Sequence, residues 1–502
     1  MLKIISSKLA MIVLLVYFTG ISVAIADQNM VQSNLPTMIE NEITLTDQQL
    51  NLEQKIIDEQ LAVEYREKEQ QLVEELQRQA EQRLSEIVGD ESLQFKSIVA
   101  TIYAQRDYLL LWENPKFKSI FLRQYAALVA SGINKKFSKI LAEIDRTSEN
   151  GGLLHDILLT DAFLEYVYYV DNVAKFAQKW LYFPNTYKMG SPSQHYIDDW
   201  LTAVKNNNIL FFIDSLSAKN LLHEQTIQQL EKLISTEQIN KATLNQIYKL
   251  AINAQRLRII PAFNNGIFVN IPSYRLQYYR DGQLVLDSKV IVGRKERKTP
   301  VMYSKLSNVV VNPPWIPTAR LINEDIVPKI KRDPDYVARH GYSILDNRGA
   351  VVDPYLIDWE NIGAKFPYRI KQAPGDSALG SYKFNMPSSD AIYLHDTPNR
   401  SLFNKKNRAL SSGCIRIEKS DQLATILLKE AGWSEEKKRR VLDSKKTASA
   451  MIQSDNPVYL YYVTAWADEG QIHSLPDIYG YDIMPNFNDI NWAVVKKYLV
   501  DH

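Results

Sequence analysis

The sequence predicts a multidomain α+β protein in which a helical region precedes a mainly β domain. Its 502 residues are enough for about two to four domains, and an apolar content of 45% is enough for their buried cores. Up to about residue 258, apolar residues recur at the spacing of helices. From Gly266 onward the period changes, and strand-like runs separated by turn residues follow.

Residues 1–26 have the features of a signal peptide. Lys3 and Lys8 precede an apolar stretch at 9–25, and an Ala-Ile-Ala sequence at its end supplies small residues for cleavage. An apolar stretch of this length can also just span a bilayer, so an uncleaved anchor is the alternative. In both cases we expect the rest of the chain to be exported.

Two helical regions come next. Residues 27–90 are rich in Gln and Glu and predict a long amphipathic helix, with apolar positions at Ile57, Leu61, Leu72, Leu76 and Leu84. Polar residues interrupt the heptad pattern, which favours a solvated spacer over a coiled-coil partner. Residues 91–258 predict a helical domain, whose aromatic clusters at 163–169 and 179–182 are expected to pack in its core.

Residues 259–463 predict the mainly β domain. Asp281 and Gly282, between two strand-like runs, supply the positive φ angles of a tight hairpin turn. From 316 to 373, helical pieces, prolines and charges interrupt the strand pattern, and an insertion of this length is expected to have a small fold of its own. Residues 464–502 form a C-terminal extension.

Cys414 is the one cysteine of the chain, so it is either an inert buried side chain or a thiol retained for its reactivity. Small residues precede it, so the backbone N–H groups of Ser412, Gly413 and Cys414 can converge on a developing oxyanion. Arg416 adds positive potential. A thiol with a pKa of about 8.5 also needs a base or a cation to become an efficient nucleophile.

His395 is the candidate base. It ends a strand-like run and precedes a turn at Asp396-Thr397-Pro398, which would present the imidazole at a sheet edge. Neighbouring side chains on a strand point to opposite faces, so a backbone carbonyl near residue 396 or 397, not the Asp396 carboxylate, is expected to orient the ring. The seven histidines lack HExxH spacing, and we expect neither a metal nor another cofactor.

The segment from about Gly266 to Tyr462 resembles the catalytic domain of the YkuD-type L,D-transpeptidases, in particular the large periplasmic branch with a scaffold domain and an inserted lid. Several motifs match in the expected order: Val311-Asn312-Pro313-Pro314-Trp315, Gln372-Ala373-Pro374-Gly375, Leu379 to Pro387, the His395 strand and Ser411-Ser412-Gly413-Cys414-Ile415-Arg416. The resemblance implies that Cys414 is the nucleophile, His395 its base and residues 316–373 a mobile lid. Many members have a second His where this chain has Ser412, which leaves backbone N–H groups as the oxyanion donors.

The resemblance further implies a periplasmic enzyme that joins peptidoglycan stem peptides by 3→3 cross-links, through a thioester on the cysteine. It also implies that carbapenems acylate this enzyme. Stem peptides are the expected partners, together with other cell-wall synthesis proteins. An N-terminal anchor is the only contact with a membrane that we expect. A net charge of +1 indicates no general attraction to nucleic acid. The residues expected to contact the stem are Trp315, Tyr382, Tyr393, Ser411 and Arg416.

Two other functions fit the same residues. An L,D-carboxypeptidase or amidase would use the same Cys414 and His395, with water in place of the incoming amine. A non-catalytic wall-binding scaffold would carry Cys414 as a vestige, although the intact loop and His395 argue against it. Core packing is the alternative for Trp315 and Tyr393, and a structural ion pair for Arg416.

Overall fold

The protein is described by a computed structural model over residues 37–183, 186–235, 240–363, 365–389 and 391–500. The predicted signal peptide, residues 1–26, and the start of the predicted spacer lie outside these ranges. Within them, no helix has both the length and the apolar character that crossing a bilayer requires.

A 52-residue helix, α1 (Thr37–Val88), precedes the helical domain, as the spacing of the apolar residues predicted. Leu61 and Tyr65 on this helix are 57% and 73% exposed, whereas Leu84 is fully buried. The last turns of α1 therefore pack on the domain while its middle is surrounded by solvent. The helices of the domain are α2 (Lys96–Gln105), α3 (Pro115–Ala130), α4 (Lys135–Ser148), α5 (Gly152–Trp180), α6 (Gln194–Lys205), α7 (Ile209–Ser215), α8 (Leu221–Ser235) and α9 (Lys241–Arg258).

Aromatic side chains fill the core of the helical domain. The ring centroid of Phe163, on α5, lies 5.3 Å from that of Trp112, 5.2 Å from that of Phe121 and 5.0 Å from that of Trp200. All four side chains are buried. Aromatic contacts of this kind add to the free energy of area burial, so these rings stabilise the domain and are not exposed to a sugar ligand.

One sheet of eleven strands organises the β domain. The strands of the chain are β1 (Gly266–Asn270), β2 (Arg275–Arg280), β3 (Gln283–Gly293), β4 (Met302–Lys305), β5 (Asn308–Val311), β6 (Tyr342–Leu345), β7 (Val351–Val352), β8 (Arg369–Gln372), β9 (Tyr382–Asn385), β10 (Leu394–His395), β11 (Ala409–Ser411), β12 (Ile415–Ile417), β13 (Ala448–Met451), β14 (Pro457–Tyr461), β15 (Ala465–Asp468) and β16 (Gln471–Ser474).

The order in the large sheet is β13-β5-β9-β10-β12-β3-β2-β1-β14-β4, with β11 also paired to β3. Asp281 and Gly282 join β2 to β3 at φ angles of 48° and 74°, so the predicted hairpin turn is confirmed. The short strand β10 pairs with β9 in antiparallel and with β12 in parallel orientation. His395 is therefore held between two neighbouring strands in the middle of the sheet.

The insertion at 316–373 lies between β5 and β9 and has a core of its own. It contains α10 (Ala319–Leu321), a π-helical turn at Ile322–Ile326, α11 (Val327–Arg332) and α12 (Tyr336–Arg339). Its three strands form a separate sheet in the order β7-β6-β8. Buried Ile330 and Ile370 belong to an apolar cluster made up of residues of this segment.

The C-terminal part of the chain returns to the helical domain. After α13 (Ser420–Glu430) and α14 (Glu435–Ser444), the chain ends in α15 (Trp492–Val500), which packs on α3 and α8. Val495 and Leu499 of α15 are fully buried. The Arg256 guanidinium of α9 also pairs with Asp482 at 2.6 Å. The Tyr479 hydroxyl of the extension donates to the Gly293 carbonyl of β3 at 2.6 Å, so the extension contacts both domains.

A buried carboxylate anchors the turn that follows β10. Asp396 accepts hydrogen bonds from the backbone N–H of Ser381, at 2.8 Å, and from the hydroxyl of Ser420, at 2.7 Å, and pairs with Arg400 at 3.1 Å. Gly380, at a φ of +64°, lies directly against this carboxyl group. A Cβ atom at Gly380 would lie 2.6 Å from Asp396 Cγ, which is closer than van der Waals contact allows.

Replacement of Gly380 by alanine should therefore cost more stability than the backbone conformation alone explains. Gly432 is a matched control, because its φ is +78° and no atom lies within 4 Å of its Cβ position. We expect Gly380→Ala to lower the free energy of unfolding by about 1–3 kcal/mol more than Gly432→Ala does. Urea denaturation of the two variants measures this difference, and equal losses would contradict the expected clash.

Candidate active site

Basic side chains form a row across three adjacent strands. Lys383 of β9 lies opposite His395 of β10, and His395 lies opposite Arg416 of β12. Their neighbours Phe384, Leu394 and Ile415 are fully buried in the core on the other face of the sheet. Because side chains alternate along a strand, the three basic residues share one face.

The same alternation brings Tyr393 and Cys414, two residues before His395 and Arg416, to that face. The Ile415 N–H donates to the Tyr393 carbonyl at 3.2 Å, which keeps the two strands in contact at this level. The nucleophile and the base predicted from the sequence therefore lie on neighbouring strands and on one side of the sheet. This arrangement depends on the register of β10 against β12.

The Cys414 thiol is partly exposed and rests in a neutral form. Its sulfur lies 3.8 Å from the carbonyl oxygen of Ala391. Burial raises the pKa of the thiol, and contacts with Tyr393 and the charges of Lys383 and Arg416 only partly oppose that shift. The thiol therefore needs a base when it reacts.

His395 is oriented by a backbone carbonyl, as the sequence predicted. Its Nδ1 lies 2.5 Å from the carbonyl oxygen of Asp396. A carbonyl can only accept, so Nδ1 carries the proton and Nε2 is the basic nitrogen. Burial, assisted by the charges of Arg416 and Lys383, lowers the pKa of His395 to about 3. The imidazole is thus neutral near pH 7 and able to accept a proton.

Hydrogen bonds within the loop shape the nucleophile's surroundings. The Ser411 hydroxyl donates to the Cys414 carbonyl at 2.6 Å and accepts from the Gly413 N–H at 3.1 Å. Gly413, at a φ of +121°, therefore bends the loop, and the prediction that its N–H is an oxyanion donor is corrected. In the part of the chain that the structure describes, the N–H groups of Ser412 and Cys414 donate to no acceptor, which leaves them for an oxyanion.

Some of the predicted stem contacts lie beside the Cys414 thiol, and others are turned away from it. Burial raises the pKa of Tyr393, the Cys414 sulfur raises it further and the Trp315 indole lowers it, so these three side chains are close neighbours. Tyr382 and Ser411 are buried and do not reach this face. The Tyr382 hydroxyl donates to Asp421 on the opposite side of β9. The prediction that Tyr382 and Ser411 contact a stem peptide is therefore wrong, because strand alternation and loop packing turn them inward.

Trp315 stands where the two ends of the insertion meet. Its N–H donates to the Gln372 carbonyl at 3.1 Å, and the Gln372 N–H donates back to the Trp315 carbonyl at 2.8 Å. Its ring centroid is 6.3 Å from that of Tyr342 in the insertion. The insertion therefore begins and ends beside Tyr393 and Cys414.

Arg297 links the insertion to the nucleophile loop, and sequence reasoning missed it. The buried guanidinium donates to the Ser412 hydroxyl at 3.1 Å and to the Glu324 carboxylate at 2.5 Å, and it also pairs with Asp325. Both acids belong to the π-helical turn, a geometry that is frequent at functional sites. The adjacent acids Glu324 and Asp325 were the only indication of this contact in the sequence, and they do not show which cation they pair with.

A cleft of about 1090 Å³ lies elsewhere, between the helical domain and the β4–β14 edge of the sheet. Its walls include Lys175, Tyr303 and Ser388 but neither Cys414 nor His395. We therefore assign the candidate site by its reactive groups and not by the size of a cavity.

Known proteins share this organisation. Residues 264–441 match the YkuD domain, the L,D-transpeptidase catalytic domain, and residues 97–230 match the Scaffold domain. A Haemophilus influenzae protein named "Putative L,D-transpeptidase" is 61% identical over 412 residues, which cover 82% of this chain and 83% of that protein. The chain belongs to the YkuD-type L,D-transpeptidase family. The resemblance and the α+β fold class predicted from the sequence are thus confirmed.

Membership of this family makes the protein a transpeptidase that works outside the cytoplasm, where peptidoglycan lies. The YkuD match contains both Cys414 and His395, and it also spans the whole insertion. The transpeptidase domain therefore includes the row of basic residues, the nucleophile loop and the Arg297 contact described above.

The protonation state of the L,D-transpeptidase site predicts its alkylation profile. Because Cys414 is the one cysteine, any thiol alkylation reports on it, with Cys414→Ser as the blank. Burial raises the thiol pKa above its usual value of about 8.5–9, so the iodoacetamide rate should rise with an inflection above about pH 9. The pKa of His395, about 3, should add no inflection between about pH 5 and pH 9. Intact-mass kinetics would contradict this if the rate reached a plateau below about pH 7.

Arg297 should act as a positioning residue. In Arg297→Met the Ser412 loop and the insertion lose their shared cation, and we expect kcat/KM for transpeptidation to fall about tenfold or more because the reacting groups are misplaced. Arg339→Met is the control, since it removes an exposed ion pair with Asp333 inside the same insertion and should have little effect. Equal activities of the two variants would show that the Arg297 contact does not position the loop.

Proposed function

We propose that this protein is a peptidoglycan L,D-transpeptidase that forms 3→3 cross-links between stem peptides through a thioester on Cys414. One observation carries the proposal: a partly exposed thiol shares a sheet face with a neutral imidazole whose proton is held on Nδ1. Such an imidazole offers Nε2 as a base, and a thiol is a strong nucleophile once its proton is removed.

Acylation begins with attack of the Cys414 sulfur on the amide carbonyl between the diamino acid and the terminal D-Ala of a tetrapeptide stem. The thiol proton moves to Nε2 of His395 as the carbon–sulfur bond forms. The N–H groups of Ser412 and Cys414 stabilise the resulting oxyanion. When the tetrahedral intermediate collapses, the carbon–nitrogen bond breaks, and D-Ala leaves with the proton that His395 returns to its amine.

Transfer completes the cycle. The side-chain amine of the diamino acid in a second stem attacks the thioester carbonyl, and His395 removes one proton from that amine. Collapse breaks the carbon–sulfur bond, and the thiolate takes the proton back from His395. The product is a new amide between two stems, and the thiol and imidazole return to their neutral forms.

Trp315, Tyr393 and Arg416 are the stem contacts in this proposal. Trp315 and Tyr393 are side by side at the edge of the insertion, which we infer to be a lid that limits the access of water to the thioester. We expect the protein to act in the periplasm, with an N-terminal inner-membrane anchor if its signal segment is not cleaved. Carbapenems should acylate Cys414, and other cell-wall synthesis proteins are its proposed partners.

The decisive experiment uses the purified protein and a disaccharide-tetrapeptide, with mass spectrometry of the products. Cross-linked dimers are the expected result. Tripeptide without dimers would overturn the transferase assignment in favour of an L,D-carboxypeptidase. No reaction, with Cys414 inert to alkylation, would favour a wall-binding scaffold.

Variants assign the two reacting groups. Cys414→Ala should reduce dimer formation by about 10⁴-fold or more, and His395→Ala by about 10²–10⁴-fold, without large effects on unfolding. His195→Ala is the control, because His195 is 79% exposed and far in sequence from the site. Dimer formation by the Cys414→Ala protein would show that the nucleophile is another group.

A further inference from the structure

Two basic side chains flank the imidazole of His395. The strand register puts Lys383 on one side of it and Arg416 on the other, in one row on the face that carries Cys414. The Lys383 ammonium lies 4.2 Å from the centre of the Tyr393 ring, and Tyr393 is a direct neighbour of the Cys414 sulfur. Both charges are therefore beside the reacting thiol.

Neither cation has a carboxylate partner among the described residues. Among the residues that the structure describes, no acid lies within 4.0 Å of Lys383 or Arg416, and Arg416 Nε is buried without a hydrogen-bond acceptor. Asp396 is adjacent to His395 in the chain, but its carboxylate points to the other side, where it binds Ser381 and Ser420. A buried guanidinium nitrogen without an acceptor is costly, and on the face that carries Cys414 a bound ligand can supply that acceptor.

The two arginines that are buried as whole residues are paired with acids, whereas the buried Nε atoms of Arg106 and Arg258, like that of Arg416, have no acceptor among the described residues. Arg256 pairs with Asp482 at 2.6 Å, and Arg297 binds Glu324 at 2.5 Å. The cysteine sulfur does not fill the same role for Arg416 at rest, because burial raises the pKa of the thiol and keeps it neutral. No carboxylate of the described residues therefore neutralises Lys383 or Arg416.

We propose that Lys383 and Arg416 form a binding site for a carboxylate of the acyl donor, beside the Cys414 thiol. This inference rests on the proposed acyl transfer and adds the charge that the donor must carry. Two carboxylates of a tetrapeptide stem lie near the scissile amide: that of the departing terminal residue and that of the diamino acid side chain. A guanidinium and an ammonium together can hold such a group by charge-assisted hydrogen bonds.

The unique thiol permits a test that needs no peptidoglycan. Iodoacetate and iodoacetamide alkylate Cys414 by the same displacement of iodide, but only iodoacetate carries a carboxylate. Any change in thiolate fraction affects both reagents equally, so the ratio of their rate constants isolates recognition of the carboxylate. We expect this ratio to fall about tenfold in Lys383→Met and in Arg416→Met, and to be largely retained in Lys383→Arg.

Lys406→Met is the matched control, since Lys406 is exposed on the loop before β11, and its ratio should equal that of the unaltered protein. The iodoacetamide rate confirms in each variant that the thiol is still accessible in a folded protein. Ratios that do not change in Lys383→Met and Arg416→Met would overturn the proposal, whatever the outcome of the cross-linking experiment.

A second arm identifies the source of the carboxylate. The acylation rate of Cys414 by a tetrapeptide is compared with that by the same peptide ending in a carboxamide. A loss of about tenfold on amidation, absent in Lys383→Met, assigns the site to the departing residue. An equal rate for both peptides, with a lower rate for a donor amidated at the diamino acid side chain, assigns it to that side chain. If neither amidation changes the rate, the carboxylate site does not serve the acyl donor and the proposal fails.

Discussion

The hydrogen bond from Nδ1 of His395 to the carbonyl of Asp396 determines the chemistry of the site. It holds the imidazole proton on Nδ1, which leaves Nε2 as the nitrogen that can accept a proton. The turn that carries this carbonyl is anchored by the side chain of the same residue, through Ser381, Ser420 and Arg400. Asp396 thus contributes twice: its backbone orients the ring and its carboxylate keeps the turn in place.

Burial then sets the protonation state in which the enzyme waits for substrate. It keeps the His395 imidazole and the Cys414 thiol neutral, so in the proposed reaction charge separates only as the sulfur attacks. Lys383 and Arg416 favour the anionic sulfur and disfavour an imidazolium. Their net effect on proton transfer from the thiol to the imidazole depends on what else occupies the site. A substrate carboxylate between them would offset the repulsion that a protonated His395 experiences during catalysis.

The insertion and the nucleophile loop are mechanically connected. The insertion is paired to the sheet at its base through Trp315 and Gln372, and Arg297 joins its π-helical turn to Ser412. The Ser412 N–H, which we propose as an oxyanion donor, has no acceptor among the described residues. In the proposed mechanism, a displacement of the insertion would therefore move the loop that carries Ser412 and Cys414.

Local patterns in the sequence were sufficient for the α+β class, the long helix before the domain, the hairpin at Asp281 and the carbonyl that orients His395. Each of these follows from helical or strand period, turn residues or motif order, which involve residues close together in the chain. The roles expected of Tyr382, Ser411 and Gly413 were not correct, and Lys383 and Arg297 were missed. Those outcomes depend on strand register and on contacts between distant segments. Only the tertiary structure decides them, because a shift of one residue in the pairing of β9, β10 and β12 would reverse which side chains face the thiol.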